Sequence, residues 1–138
     1  MCIRDRVVVT TPQLSAQKVA TRVADMAKRS FIPLLGVVEN MSYFESGDGN
    51  KYNIFGKGGG DELSEKFGIP LLSKIPISED SIEESENGTP ILLQNNKTPT
   101  KEAMQDLVNT IIKVLPPVSD ETCTGRLAKV LEELEVEA

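Results

Sequence analysis

The run Ile32-Pro33-Leu34-Leu35-Gly36-Val37-Val38 limits the possible folds more than any other stretch of the chain. It is apolar throughout, then stops abruptly at Glu39-Asn40 and opens into a loop with Gly47, Asp48, Gly49 and Asn50. A strand buried on both faces of a parallel sheet reads this way, because neither face alternates with polar residues. Such strands deliver their polar residues at the carboxyl end, and open α/β sheets bind ligands in the crevice outside those ends. Asn40 is therefore the first residue to consider for a site. Its carboxamide offers both a donor and an acceptor, which suits the edge of a base. Its simpler local role is to turn the chain, since asparagine favours turns.

The flanking sequence supplies the rest of a βαβ unit. Val7 to Thr11 is a β-branched run halted by Pro12, the pattern of a buried strand. Ser15 is placed to cap a helix running to about Arg29, with an apolar stripe of Ala16, Val19, Ala20, Val23, Met26 and Ala27. The strand Pro33 to Glu39 follows, and the crossover should be right-handed. Met41 to Glu45 and Lys51 to Phe55 can pair as a short hairpin. A helix over Asp61 to Phe67 carries acids in its first turn and ends at Gly68 as a C′ glycine. Ile69 to Ile77 reads as the third strand, with Pro76 near its end. Glu79 to Glu86 reads as a short acidic helix. Thr98-Pro99 starts a helix reaching Leu115, and Thr124 to Glu135 shows a further amphipathic stripe of Leu127, Val130, Leu131 and Leu134.

Composition removes several function classes. The net charge of −6 disfavours a nucleic-acid surface, which is built on a basic patch. No apolar run approaches the roughly 18 residues of a membrane span, and no signal peptide is evident, so the expected location is the cytoplasm. Histidine is absent, which excludes an imidazole base supplied by this chain. The two cysteines, Cys2 and Cys123, stand at opposite ends and suggest neither a disulfide framework nor a metal knuckle.

Four local patterns have chemical readings. Gly56-Lys57-Gly58-Gly59-Gly60 suggests a phosphate loop, but a P-loop requires a lysine and a hydroxyl after its last glycine. Here Asp61-Glu62 occupies those places, and two carboxylates would repel a triphosphate, so the segment reads as a flexible glycine loop capping a helix. Thr10-Thr11-Pro12 at the first strand's end could turn hydroxyls toward a phosphate or a partner, or make an ordinary strand-to-helix turn. Pro76 would bring an apolar face and a free carbonyl beside Asn40, forming a slot for a purine. The acidic set from Glu79 to Glu86 reads as a solvated helix face rather than a metal site.

Taken in order, Val9-Thr10-Thr11-Pro12-Gln13, Leu35-Gly36-Val37-Val38-Glu39-Asn40-Met41-Ser42-Tyr43-Phe44, Ile54-Phe55-Gly56-Lys57-Gly58-Gly59-Gly60, Ile69-Pro70-Leu71-Leu72, Ile75-Pro76-Ile77 and Gly88-Thr89-Pro90 resemble the carboxyl-terminal half of the Mrp (ApbC-like) P-loop ATPases. These are iron–sulfur cluster carriers related to MinD and the nitrogenase iron protein. The resemblance covers about Val7 to Leu115. It implies an α/β fold, half of a doubly wound and mostly parallel sheet with flanking helices. It implies ATP with Mg²⁺ bound and hydrolysed at a homodimer interface, a [4Fe–4S] cluster as cargo, and apo-proteins as recipients.

By the same resemblance Asn40 matches the residue expected to read the adenine edge. Pro76 and Ile77 match the segment flanking the base, and Thr10, Thr11 and Pro12 match the strand end beside the nucleotide pocket. The family's phosphate loop and Mg²⁺-binding aspartates have no counterpart here, so the chain is expected to derive from a longer gene product, to keep the base side of the site only, and to be inactive as an ATPase alone. Many members hold a cluster through a CxxC after the MSYF segment, where this chain reads Glu45-Ser46-Gly47-Asp48-Gly49-Asn50-Lys51. Residues 1–6 (MCIRDR) read as a non-native or disordered start, 7–115 as the ATPase half-domain and 116–138 as a linker with an amphipathic helix. The alternative is a non-catalytic α/β dimerisation or regulatory module. In either case Val7 to Thr11 is expected to present an apolar sheet edge, prone to aggregation or pairing.

Overall fold

The structure is a computed structural model and describes residues 6–78, 88, 90–93 and 97–115. Strand β1 (Arg6–Thr10) leads into helix α1 (Leu14–Arg29), which returns to strand β2 (Leu34–Glu39). A two-stranded hairpin follows, β3 (Phe44–Glu45) with β4 (Lys51–Tyr52). Helix α2 (Gly59–Phe67) leads to β5 (Leu71–Lys74), and α3 (Pro99–Val114) comes last after a 3₁₀ turn at Ile91–Leu93. The main sheet has the order β1-β2-β5 and is parallel throughout. The expected readings at Glu79 to Glu86 and Thr124 to Glu135 lie outside the described residues.

The register divides the sheet into two faces. Val8 pairs with Val37, and Val37 with Leu71; this row enters the core with Ala20, Ala24, Leu63 and Phe67 of α1 and α2. Val9 pairs with Val38, and Val38 with Ser73; this row faces the other way, where the Ser73 hydroxyl donates to the Ala103 carbonyl of α3 (3.3 Å). Helices thus cover both faces, and the sheet is doubly wound. Leu72 is an extra residue in β5: Val37 pairs with Leu71 but Val38 with Ser73. This bulge keeps Leu72 and Ser73 on the α3 side, with Leu72 packed where Gly36 lacks a side chain; a Cβ there would lie 2.6 Å from the Leu72 Cγ. Lys74 then returns to the α2 side and pairs with Asp61 at 2.7 Å.

Helix α1 forms where the spacing places it, but with a different buried face. Ala20, Ala24 and Ala27 are buried, whereas Val19, Val23 and Met26 are exposed. Methyl side chains let the helix lie close to β1 and α2, and the larger residues are left on the outer flank. The N-cap is Gln13 rather than Ser15, and no side chain caps it. Its C-terminus closes in a Schellman motif: Ile32 N–H donates to the Ala27 carbonyl (2.9 Å) and Phe31 N–H to that of Lys28 (3.1 Å). Phe31 holds the left-handed position of that motif, φ 54°, with its side chain 94% exposed. Gly68 ends α2 as expected, at φ 65°. In α3, Thr98 is the N-cap and its hydroxyl accepts from Lys101 N–H (3.2 Å). The hairpin is shorter than its sequence suggested, and Gly49 turns its tip at φ 77°.

Candidate functional site

The carboxyl ends of all three strands meet on one rim. Asn40 N–H donates to the Thr10 carbonyl (2.8 Å), and Ile75 N–H to the Glu39 carbonyl (2.8 Å). Beyond the regular strands the ladder continues, from Ser42 N–H to Ile75 O (2.9 Å) and from Ile77 N–H to Tyr43 O (2.8 Å). Backbone pairing therefore holds Thr10, Asn40 and Ile75 side by side, with Pro76 and Ile77 one step further along beside Tyr43 and Phe44.

Asn40 is half-buried. Its Oδ1 accepts from the Met41 N–H (2.9 Å), and Met41 takes φ 54° in the turn that follows. The carbonyl side of the carboxamide thus shapes the turn, and among the described residues no hydrogen bond is found from Nδ2. Thr10 is buried, and its hydroxyl donates to the Thr11 carbonyl (3.1 Å), so it turns into the backbone. Thr11 is half-buried and the more accessible hydroxyl of the pair. Pro12 is buried, with its carbonyl taken by Gln17 Nε2 (3.0 Å).

Pro76 differs from expectation. It is buried, and its carbonyl is not free, because the Thr100 hydroxyl donates to it (3.3 Å). Pro76 and Ile77 line an open cavity of about 240 Å³ with Phe44, Glu45, Thr98 and Thr100. Asn40 does not line that cavity, nor do Thr10, Thr11 and Pro12. The expected residues thus form two neighbouring groups, one at the ends of β1 and β2 and one between β5 and α3, rather than a single slot.

Glu39 was read only as the last residue of its strand, yet it organises the rim. It is 1% exposed, and its carboxylate accepts from Ser42 Oγ and from the Gly60 N–H, each at 2.5 Å. Gly60 lies in the first turn of α2, so a strand-end acid supplies an acceptor that the helix start lacks. The signal was present in sequence: an acid closing a buried strand, and a glycine triplet opening a helix with no side-chain cap.

The triplet itself is not flexible. Gly58 caps α2 at φ 83°, and Gly59 and Gly60 are buried. A Cβ on Gly59 would lie 2.9 Å from the Pro12 Cα, and one on Gly60 2.8 Å from the Glu39 Cβ. These glycines bring α2 against the ends of β1 and β2, which is a packing role. Asp61 and Glu62 occupy the first turn of α2, so the segment is unsuited to a triphosphate. Among the described residues no group of three or more His, Cys, Asp or Glu could hold a metal ion.

The sequence matches the family model described as "ParA: NUBPL iron-transfer P-loop NTPase" over residues 1–112. It is 37% identical over 116 residues to an iron-sulfur cluster carrier protein of Pyrococcus furiosus, covering 83% of this chain and 39% of that protein. A carrier of the same description from Deinococcus radiodurans is 40% identical over 106 residues, covering 76% and 30%. The chain therefore spans about two fifths or less of the length of these curated relatives. Among solved structures, the cell division ATPase MinD of Pyrococcus furiosus superposes with a TM-score of 0.61 at 20% identity, over 81% of this chain and 44% of that one. A nucleotide-binding protein from Archaeoglobus fulgidus in complex with ADP superposes at 0.54 with 36% identity, over 62% and 35%.

Proposed function

The chain belongs to the iron-transfer P-loop NTPase family, and from that premise we propose that it forms the base-side half of a nucleotide site in an iron–sulfur cluster carrier. The observation that carries this reading is Asn40. It stands at the carboxyl end of the central strand with Oδ1 engaged by Met41 and its Nδ2 donors uncommitted among the described residues. A donor fixed at a parallel strand's end is suited to an acceptor on a purine edge. The likeness to an ADP-bound protein at 36% identity supports the same ligand class.

In this reading ATP with Mg²⁺ is the nucleotide of the whole carrier, and its phosphates are gripped by parts other than the glycine triplet of this chain. Phosphoryl transfer needs those groups in place, so the chain alone does not turn over ATP. Thr11 lies beside the nucleotide, whereas Thr10 and Pro12 shape the strand end behind it; Pro76 and Ile77 flank the base from the β5 side. The cluster is cargo for recipient apo-proteins, and with two cysteines in the sequence the chain does not hold a [4Fe–4S] unit unaided. A homodimer and a cytoplasmic location complete the proposal; no helix among the described residues is long and apolar enough to cross a membrane.

Saturation-transfer NMR of the chain with ATP tests the reading. Transfer should reach the base protons and fall away in Asn40→Ala. Equal transfer in both proteins, or none to the base in either, would discard it. The edge of β1, which pairs with no other strand among the described residues, favours a second reading, a non-catalytic module that associates through that edge, and concentration-dependent sedimentation distinguishes the two.

A further inference from the structure

Met41 is one of two residues other than glycine held at positive φ among the described residues, and the two sit in different settings. Phe31 closes the end of α1 at the surface. Met41 lies on the rim where the strands end, between two side chains that are both tied down. A left-handed residue with a Cβ persists only where its surroundings over-determine it, and such residues gather at functional sites.

Hydrogen bonds on both sides of Met41 supply that constraint. Asn40 N–H donates to the Thr10 carbonyl (2.8 Å) and Ser42 N–H to the Ile75 carbonyl (2.9 Å), so both neighbours of Met41 are pinned to the flanking strands. The Ser42 hydroxyl donates back to Glu39 Oε1, three residues earlier, and closes Glu39 to Ser42 into one turn. Glu39 Oε2 accepts from the Gly60 N–H, so the carboxylate is anchored to α2 and cannot swing with the serine. Glu39 is 1% and Ser42 5% exposed, so little water competes for either bond. Within this closed turn the Met41 N–H meets Asn40 Oδ1 (2.9 Å). That bond fixes the plane of the carboxamide, and with it the direction of Nδ2.

We infer that Glu39 and Ser42 are positioning residues for Asn40: their carboxylate–hydroxyl bond holds Met41 in the left-handed conformation that aims the Asn40 carboxamide. Neither needs to touch a ligand, since each acts through the turn. That the aimed Nδ2 meets a purine rests on the base-side reading. Without the bond Met41 relaxes toward the right-handed region, its N–H leaves Oδ1, and the carboxamide is free to change rotamer. A carboxylate suits the task because its two oxygens accept at once, one from the turn and one from α2. The aim of Asn40 is thereby referred to a helix as well as to its own strand.

Nitrogen-15 relaxation of the Asn40 side-chain amide tests the inference without a ligand, the signal being assigned by its loss in Asn40→Ala. In the parent chain its heteronuclear NOE should match that of the ordered backbone. Ser42→Ala should lower it to the value of an exposed asparagine such as Asn50, and Glu39→Leu, which removes both acceptors, should do the same. Ser42→Cys, a weaker donor of similar size, serves if Ser42→Ala does not fold. Phe67→Leu, which loosens the core away from the rim, should leave the amide ordered. An amide that stays ordered in Ser42→Ala overturns the inference, as does one already mobile in the parent chain or one equally loosened by Phe67→Leu. Titration with ATP reports on the base separately: the dissociation constant should rise about fivefold in Ser42→Ala, as for one ordinary hydrogen bond. An ordered amide in a parent chain that makes no contact with the base would discard the base-side reading and leave the positioning of Asn40 standing.

Discussion

The Glu39 carboxylate accepts the Gly60 amide, joining the end of the central strand to the first turn of α2. Its second oxygen takes the Ser42 hydroxyl, so one buried side chain ties a strand, a turn and a helix start. Replacing Glu39 by Ala leaves two buried donors without an acceptor and a void at the rim. The expected cost is about 2–4 kcal/mol, read as a lower urea midpoint. Ser42→Ala leaves the buried Glu39 Oε1 without its donor and should cost about 1–3 kcal/mol.

The glycines that face this acid should be equally selective. Gly60→Ala would place a methyl 2.8 Å from the Glu39 Cβ and 2.9 Å from the Leu71 Cδ1. Overpacking of this kind costs about 1–3 kcal/mol. Gly47→Ala meets nothing within 4 Å in the hairpin loop and should melt within about 0.5 kcal/mol of the parent chain. Equal melting of the two variants in a calorimeter would show that Gly60 has no packing role.

Phe31 gives a prediction of opposite sign. It occupies the left-handed position of the Schellman motif with its ring in water, and an L-residue other than glycine is strained there by roughly 1–2 kcal/mol. Phe31→Gly should raise the urea midpoint by an amount equivalent to about 1 kcal/mol. A fall would mean that the ring makes a stabilising contact in solution.

Asn40→Asp separates base recognition from the turn. The substituted side chain keeps an oxygen for the Met41 N–H and replaces the Nδ2 donors with an anionic oxygen. Stability should change by less than about 1 kcal/mol, while saturation transfer from the protein to the base of ATP should be lost. Transfer that persists would remove Asn40 from the site.

How much of this was legible in the sequence depended on the interaction involved. The βαβ unit was readable because Val7–Val9 and Leu34–Val38 are continuous apolar runs separated by one helical repeat, and their pairing follows from those runs. The buried face of α1 was not. Hydrophobicity ranks Val19, Val23 and Met26 above the alanines, but a helix lying close to a sheet and a second helix buries the smallest side chains. Glu39 escaped because a buried acid contradicts the pattern that defines its strand; only its partners, donated from 3 and 21 residues away, account for it. Pro76 was recognised as a strand-end residue, but the claim on its carbonyl comes from Thr100, 24 residues on. Short-range periodicity cannot carry such pairings.

The extra residue in β5 sets the parity of everything that follows it. Because Leu72 adds one step to its strand and none to β2, Lys74 arrives opposite Glu39 on the α2 side, within 2.7 Å of Asp61. Were Leu72 to pair as a regular strand residue instead of bulging, the two sides would exchange: Ser73 would face α2 and Lys74 would face α3. The backbone bonds at Ile75 and Ile77 would then begin from the wrong side chain, and Pro76 would present its opposite side to Thr100. One inserted leucine, sheltered where Gly36 has no side chain, thus decides which side of the rim each later residue can serve.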